Sequence, residues 1–398
     1  MTMRPGKMRL FDTAQRSVVP FEPGDVVRMY VCGITPYDST HLGHAATYLA
    51  YDLLIRRLED LGHEVQMVRN VTDVDDSILP KARELGVPYL ELAASELARF
   101  QADMAALGMR PPMAEPRATE SIDGMIELIN SLLESEHAYL THGTVFFDIS
   151  TFPAFGDLSH YGRDHMVKLA RARGGNPDDP HRRDPLDFVL WQPSLADEPA
   201  WRAPFGVGRP GWHVECSVMA MHALGPTLDL HGGGTDLIFP HHECEIAQSE
   251  SVTGKPFVRH WMHSAMVSYE GEKMSKSLGN LVFVSDLLEH ADPRAIRLAL
   301  MRHHYRAGFE WHDTDLDEGT ALLHRLVGGA KCASGADPAP FAARVRDALD
   351  TDLDAPRALE ALDDLASAIL SGGDDTSAPG VLRDLGALLG IDLSVPVT

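Results

Sequence analysis

Two apolar runs of strand length, Arg28–Ile34 and Glu64–Val71, flank a stretch from Leu42 to Leu58 in which apolar residues recur at helical spacing. Gly33 closes the first run and Gly62 precedes the second, so strand, glycine turn, helix and strand follow in order. Such a βαβ unit predicts parallel strands and an α/β, Rossmann-like, doubly wound sheet. With 398 residues the chain can add further units to that core.

Helical stretches are expected over residues 87–107 and 120–140, with "RPPMAEP" as the breaker between them. From Tyr161 to Pro210 the chain is rich in Gly, Pro, Asp and Arg, which predicts an inserted loop region over a site. Beyond His312, Ala, Leu, Asp and Arg recur at helical period, broken at "SGADPAP" and "SGGDDTSAPG". The expected organisation is a nucleotide-binding catalytic domain over 1–311, with an insert at about 111–210, and a C-terminal helical domain over 312–398.

The formal net charge is -23, and the segment after His312 carries sixteen acidic residues against six basic. No basic footprint for a phosphate backbone results, which disfavours a bulk nucleic-acid binder. Residues 1–20 lack an apolar core of signal-peptide length, and nowhere do eighteen apolar residues run together. The expectation is a cytoplasmic protein with no membrane contact. Four cysteines, irregularly spaced, make a disulfide framework a poor reading.

Three constellations carry chemistry. His41-Leu-Gly-His44 sits on the strand-to-helix turn, where main-chain N–H groups and imidazoles can hold a phosphoryl group. "GEKMSKSLGN", residues 271–280, is a glycine-bounded loop whose Lys273 and Lys276 can close over a triphosphate. Cys32, Cys216, His241 and Glu245 offer two thiolates, an imidazole and a carboxylate, a donor set suited to zinc. Free cysteines are also common as small buried apolar residues, and sequence spacing alone does not choose between the two uses.

The first two constellations, in that order along a βαβ chain, resemble the HIGH and KMSKS signatures of class I aminoacyl-tRNA synthetases. "YVCGITPYD", "RNVTDVDD", "RDPLDFVLW", "GRPGWHVECS", "HGGGTDLIFPHHECEIAQSE" and "GEKMSKSLGN" are similar to the cysteine-activating branch, and cover residues 29–280. The resemblance implies one zinc per chain on Cys32, Cys216 and His241, with Glu245 at a fourth ligand position of the synthetases. The zinc would grip the substrate's own sulfur, selecting against serine without an editing site. It also implies ATP with Mg2+, catalysis by His41, His44, Lys273 and Lys276, and a cysteinyl-adenylate pocket. Cys32, Gly33, Ile34, Thr35, Thr47, Asn70, Val71, Thr72, Trp212, Gly234, Thr235, Asp236 and Val267 would line that pocket.

Within the branch, the chain resembles the mycothiol-pathway cysteine ligases more than the cysteinyl-tRNA synthetases. Ala46 stands where the synthetases have arginine, and "LARARGGNPDDP" is similar to the ligases' "ERGGDP" element. The short acidic ending also fits. His231 and Glu245 depart from the ligase pattern towards the synthetases. The resemblance implies joining of L-cysteine to the amine of 1D-myo-inosityl 2-amino-2-deoxy-α-D-glucopyranoside through cysteinyl-adenylate, with AMP and pyrophosphate released. A minimal cysteinyl-tRNA synthetase is the alternative. The expected partners are ATP, L-cysteine and glucosaminyl-inositol, without tRNA, and the protein is expected to be a monomer.

Overall fold

The structure, a computed structural model, describes residues 8–37, 39–274 and 279–397. An antiparallel hairpin of β1 (Arg9–Asp12) and β2 (Ser17–Pro20) precedes the predicted βαβ unit: β3 (Val26–Ile34), α1 (Leu42–Asp60) and β4 (Glu64–Val71). β3 pairs with β4 in parallel. A further helix, α2 (Ile78–Leu85), precedes α3 (Tyr89–Ala106), which stands where the 87–107 helix was expected. Gly86 ends the first in the left-handed region at φ 68°, and Pro88 prevents the second from joining it.

α4 (Ile122–Glu134) is shorter than the predicted 120–140 helix. Glu136 at φ 61° turns the chain, and residues 138–141 become a strand. The segment expected as loop is also more ordered than its composition suggests. β5 (Ala138–Thr141), β6 (Thr144–Phe147), α5 (Arg163–Ala172), β7 (Phe188–Gln192), β8 (Trp201–Ala203) and β9 (Gly206–Pro210) supply an antiparallel sheet of order β5-β6-β7-β9-β8. Phe146, Phe147, Leu190 and Trp191 give it a core. The Gly, Pro, Asp and Arg residues fall in the connections, where their turn chemistry belongs.

The chain returns through α6 (Trp212–Leu224), β10 (Leu230–Gly234), α7 (Glu243–Thr253) and β11 (Trp261–Ser264), giving a parallel sheet of order β11-β10-β3-β4. "HGGG", residues 231–234, lies on β10. Gly232 is required there because a Cβ would sit 2.2 Å from the Tyr51 hydroxyl and 2.4 Å from the Met262 carbonyl oxygen. β3 lies between β4, the strand next in sequence, and β10, which comes much later. This reversal opens a crevice at the carboxyl ends of β3 and β10.

Alternate residues of β3 serve two cores. Met29 and Val31 join α1 and the C-terminal helices, whereas Tyr30 and Cys32 join α4, α6 and the insert sheet. Beyond β11 come β12 (Val267–Tyr269), β13 (Glu272–Lys273), α8 (Val284–Leu288), α9 (Pro293–Met301) and β14 (Phe309–Glu310). The chain ends in α10 (Asp313–Ala330), α11 (Ala339–Asp350), α12 (Ala355–Leu370) and α13 (Ala378–Leu388). α1 packs on α11 and α13. There Arg57 makes a bidentate pair with Asp350, both contacts at 2.8 Å. Buried Arg297 binds Asp52 and donates to the carbonyls of Leu389 at 2.8 Å and Leu107 at 3.0 Å. Among the described residues no helix is long and apolar enough to cross a membrane.

Candidate active site

The β3 terminus shapes one wall. Pairing with β4 slips between Val31 and Ile34, and the Asn70 side chain takes up the slack by accepting from the Gly33 N–H at 2.7 Å. Asn70 Nδ2 then donates to Thr72 Oγ1 at 3.0 Å, and the Thr72 N–H to the Ile34 carbonyl at 3.0 Å. A Cβ at position 33 would lie 1.7 Å from the Asn70 carbonyl oxygen, so only glycine fits. Val71 is buried beside them. The Tyr48 hydroxyl donates to the Cys32 carbonyl at 3.0 Å, which fixes the strand end on α1.

Cys32 points to the opposite face, towards α6 and α7. There the structure brings Cys216, His241 and Glu245 to it: one donor atom from each of the four lies within 4.8 Å of the others, and all are buried. His241, in the helical turn 238–242 that leads into α7, and Glu245, in the first turn of α7, are four residues apart and come together with Nε2 and Oε1 3.1 Å apart. The His213 and His241 Nδ1 atoms lie 2.9 Å apart, which leaves Nε2 of His241 for the cluster. That nitrogen is buried and satisfied by no hydrogen bond of good geometry. A buried, unsatisfied imidazole nitrogen facing two sulfurs and a carboxylate fits a zinc ion.

Histidines not singled out as ligands crowd the same place. His231 Nε2 lies 3.0 Å from Glu245 Oε2, and His242 Nε2 lies 3.3 Å from Cys32 Sγ. His242 Nδ1 then lies 2.7 Å from His263 Nε2. Cys32, His231, His242 and Glu245 thus form a second group of ligand geometry sharing two members with the first. The doubled histidine in "FPHHEC" was the available signal. His231 and His242 already have polar partners, whereas His241 Nε2 has none of good geometry, so the two-thiolate set is the better metal centre.

The charges suit a cation. Burial and neighbouring Cys216 push the Cys32 thiol well up. At Cys216 burial acts likewise, but hydrogen bonding from Cys32 and the charge of His241 outweigh it and bring the thiol to about 6. Burial opposes protonation of His241, yet Cys216 and Glu245 raise it to about 10. Glu245 is held at about 2 because His231 and His241 overcome its burial. Burial and neighbouring imidazoles keep His213 and His242 neutral, and His263 falls to about 3.

The HIGH-type turn caps α1. His41 Nδ1 accepts from the Gly43 N–H at 3.1 Å, and the rings of His41 and His44 stack at 3.8 Å. Thr47 Oγ1 donates to the Gly43 carbonyl at 3.1 Å and accepts from Ser264 Oγ at 2.9 Å. The turn is also tied to the chain beyond the KMSKS-type loop, since Leu42 N–H donates to the Val282 carbonyl at 2.9 Å. Buried Val267 begins β12, which pairs with β13 at the base of that loop. Lys276 lies outside the described residues, as does the side chain of Lys273.

Trp212 begins α6 and stacks on His241 with centroids 4.2 Å apart. Gly234 ends β10 before a single turn holding Thr235 and Asp236, and a Cβ at 234 would meet Asp236 Oδ1 at 2.5 Å. Thr35 and Trp212 share a separate cleft with the insert. Asp73 is structural, accepting from the Thr119 N–H at 2.9 Å and its hydroxyl at 2.7 Å.

Residues 18–321 match the model of the tRNA synthetases class I (C) catalytic domain. The methionyl-tRNA synthetase of Mycobacterium tuberculosis, solved with methionyl-adenylate, superposes with a TM-score of 0.63 over 92% of this chain and 89% of that one, at 19% identity. The Agrobacterium radiobacter K84 agnB2 LeuRS-tRNA-LeuAMS complex gives 0.65 over 96% and 88%, at 12% identity. At such identities the likeness is one of fold. Proteins from Thermobispora bispora and Acidothermus cellulolyticus are far closer, 50% identical over 97% of this chain and 96% of theirs, and 48% over 98% and 97%. Both are named L-cysteine:1D-myo-inositol 2-amino-2-deoxy-alpha-D-glucopyranoside ligase. The sheet, the thiol-lined centre and this full-length likeness agree: the chain belongs to the class I (C) tRNA synthetase family and, within it, to that ligase family.

Proposed function

We infer that this protein joins L-cysteine to the amine of 1D-myo-inosityl 2-amino-2-deoxy-α-D-glucopyranoside at the expense of ATP. The observation that carries the reading is the buried Cys32–Cys216–His241–Glu245 set, placed at the end of the strand whose following turn holds His41 and His44. Relatives at this identity over nearly the whole chain carry the ligase name, which does not favour the minimal cysteinyl-tRNA synthetase considered from the sequence.

Cys32, Cys216 and His241, with Glu245 beside them, would hold zinc. When bound, the ion supplies a soft Lewis-acid contact for the thiolate of the substrate, which a serine hydroxyl cannot match at neutral pH. Gly33, Asn70, Thr72 and Trp212 then fix the amino acid at the mouth of the crevice. A cysteine carboxylate oxygen attacks the α-phosphorus of ATP, the bond to the bridging oxygen breaks, and pyrophosphate leaves with Mg2+. His41, His44 and the lysines of the 271–280 loop stabilise the charge gathering on phosphate. The sugar amine, as free base, next attacks the acyl carbon. The bond to the AMP oxygen breaks, AMP departs, and the nitrogen gives up a proton as the amide forms.

Cysteine-dependent exchange of labelled pyrophosphate into ATP tests the first half. The reading expects exchange with cysteine and not with serine, and its loss in Cys216→Ala. Undiminished exchange in that variant would remove the metal assignment.

A further inference from the structure

A cleft of about 600 Å³ opens between the insert sheet and the crevice of the parallel sheet. This volume lies within the range of sites for ligands of drug size. Its lining comes from several elements: Asp75 and Asp76 after β4, Asn176 and Asp179 after α5, Gln192 at the end of β7 and Trp212 at the start of α6. Neither His41 nor His44 reaches it, nor do Thr47 and Val267, so it is not the nucleotide side of the crevice. It nevertheless shares Thr35 and Trp212 with the adenylate pocket proposed above. Trp212 also stacks on His241, with ring centroids 4.2 Å apart, and so touches both the cleft and the metal centre. An acyl carbon held beside Trp212 is therefore within reach of a nucleophile in the cleft.

The lining also has a sign. Four carboxylates, from Asp75, Asp76, Asp179 and Asp187, face two guanidiniums, those of Arg173 and Arg182. Both guanidiniums are committed to main-chain carbonyls: Arg173 to those of Asp236 and Phe239, and Arg182 to that of Asp187 at 2.6 Å. Asp76 is paired with Arg209. Asp187 is satisfied by the Tyr139 hydroxyl at 2.7 Å and the N–H groups of Ile149 and Asp184, each at 3.0 Å. Asp75 accepts from the main chain and side chain of Ser77, and Asp179 from the His181 N–H at 2.9 Å, and neither is paired with a guanidinium among the described residues, so carboxylate oxygen lone pairs remain for hydroxyls or an ammonium group. Such a surface attracts a polyhydroxylated amine and repels a phosphodiester chain.

We propose that this cleft is the acceptor site, with Asp75, Asn176, Asp179 and Gln192 reading the hydroxyls and amine of the amino sugar while Trp212 separates it from the metal centre. The proposal rests on the ligase reading and adds to it the determinant of acceptor choice. The loop around Asn176 and Asp179, read from the sequence as a cover, then forms the roof of the acceptor site. Arg173 is a positioning residue, since it ties that roof to the chain following β10.

The test uses the purified full chain with zinc, ATP, cysteine and glucosaminyl-inositol, and the variants Asp179→Asn and Gln192→Ala. Each variant should raise the acceptor KM about tenfold or more, as expected for lost hydrogen bonds, while cysteine-dependent pyrophosphate exchange stays at the unsubstituted rate. Acceptor KM values within about twofold of the unsubstituted protein, with exchange intact, would overturn the proposal. No amide from the unsubstituted protein despite brisk exchange would overturn the ligase reading instead. A variant that lost exchange would be misfolded, and hydrogen–deuterium exchange of the unsubstituted protein would then decide. Glucosaminyl-inositol should protect residues 173–192, and protection confined to other segments would place the acceptor elsewhere.

Discussion

Glu245 divides its carboxylate between two histidines: Oε2 lies 3.0 Å from His231 Nε2, and Oε1 lies 3.1 Å from His241 Nε2. Oε1 also lies 3.8 Å from Cys32 Sγ, on the cluster side. His231 thus orients the glutamate, and the glutamate presents one oxygen to the metal position. Glu245→Gln should keep the hydrogen-bonding shape and lose the charge, weakening zinc about 10- to 100-fold. Competition against a chromophoric chelator measures this. Unchanged affinity would reduce Glu245 to a partner of His231.

Zinc uptake should release protons. At pH 7 Cys216 and Glu245 are already ionised, whereas His241 is protonated and the Cys32 thiol is intact. Ligation requires both of the latter to lose a proton, so about two should appear per zinc, and affinity should climb as pH rises towards the His241 value of about 10. Calorimetric titration in buffers of differing ionisation enthalpy counts them. Release of none would contradict the four-donor set.

Gly33→Ala is expected to damage the crevice directly, because the added carbon would overlap the Asn70 carbonyl. The strand must shift, the Gly33–Asn70 hydrogen bond is lost, and pyrophosphate exchange should fall by about 10² or more. The parallel change Gly62→Ala, at a position with open space around a Cβ but φ of 94°, should cost modest stability and leave the exchange rate alone.

The seating of the C-terminal helices depends on Asp52 and Arg297. Burial opposes ionisation of Asp52, but Arg297 and Arg56 hold its carboxyl below the usual range. The folded value therefore lies under the unfolded one of about 3.9, so its stabilisation is complete above that pH and is lost as pH falls through the folded value. Asp52→Asn should cost about 3–5 kcal/mol at pH 7, because Arg297 is left buried without its counter-charge. Urea midpoints at pH 7 and pH 3.5 test this, and the difference between variant and parent should shrink at the lower pH.

Much of this was legible in the sequence where the pattern is local. The β3–α1–β4 unit follows from period and glycine placement, and β4 begins and ends as predicted. The insert was misread because its short strands are separated by turn residues that dominate the composition, while the burial of Trp191 is decided by distant partners. The helix predicted to reach residue 140 stops earlier because Glu136 adopts a left-handed conformation. The donor set is scattered over β3, α6, the turn before α7 and the start of α7, so spacing could not announce it, and the motifs' resemblance to a family did. The surrounding histidines needed three-dimensional placement. The lysines of the 271–280 loop remain an inference from sequence, for which Lys276→Ala should slow adenylation by about 10²–10³ in rapid-quench measurements.

The most direct measurement is product analysis by mass spectrometry, with the purified protein, zinc, ATP and cysteine offered glucosaminyl-inositol in one vessel and cysteine tRNA in another. The ligase reading predicts the cysteinyl amide of the amino sugar, with one AMP per amide, and uncharged tRNA. Cysteinyl-tRNA without any amide would contradict it.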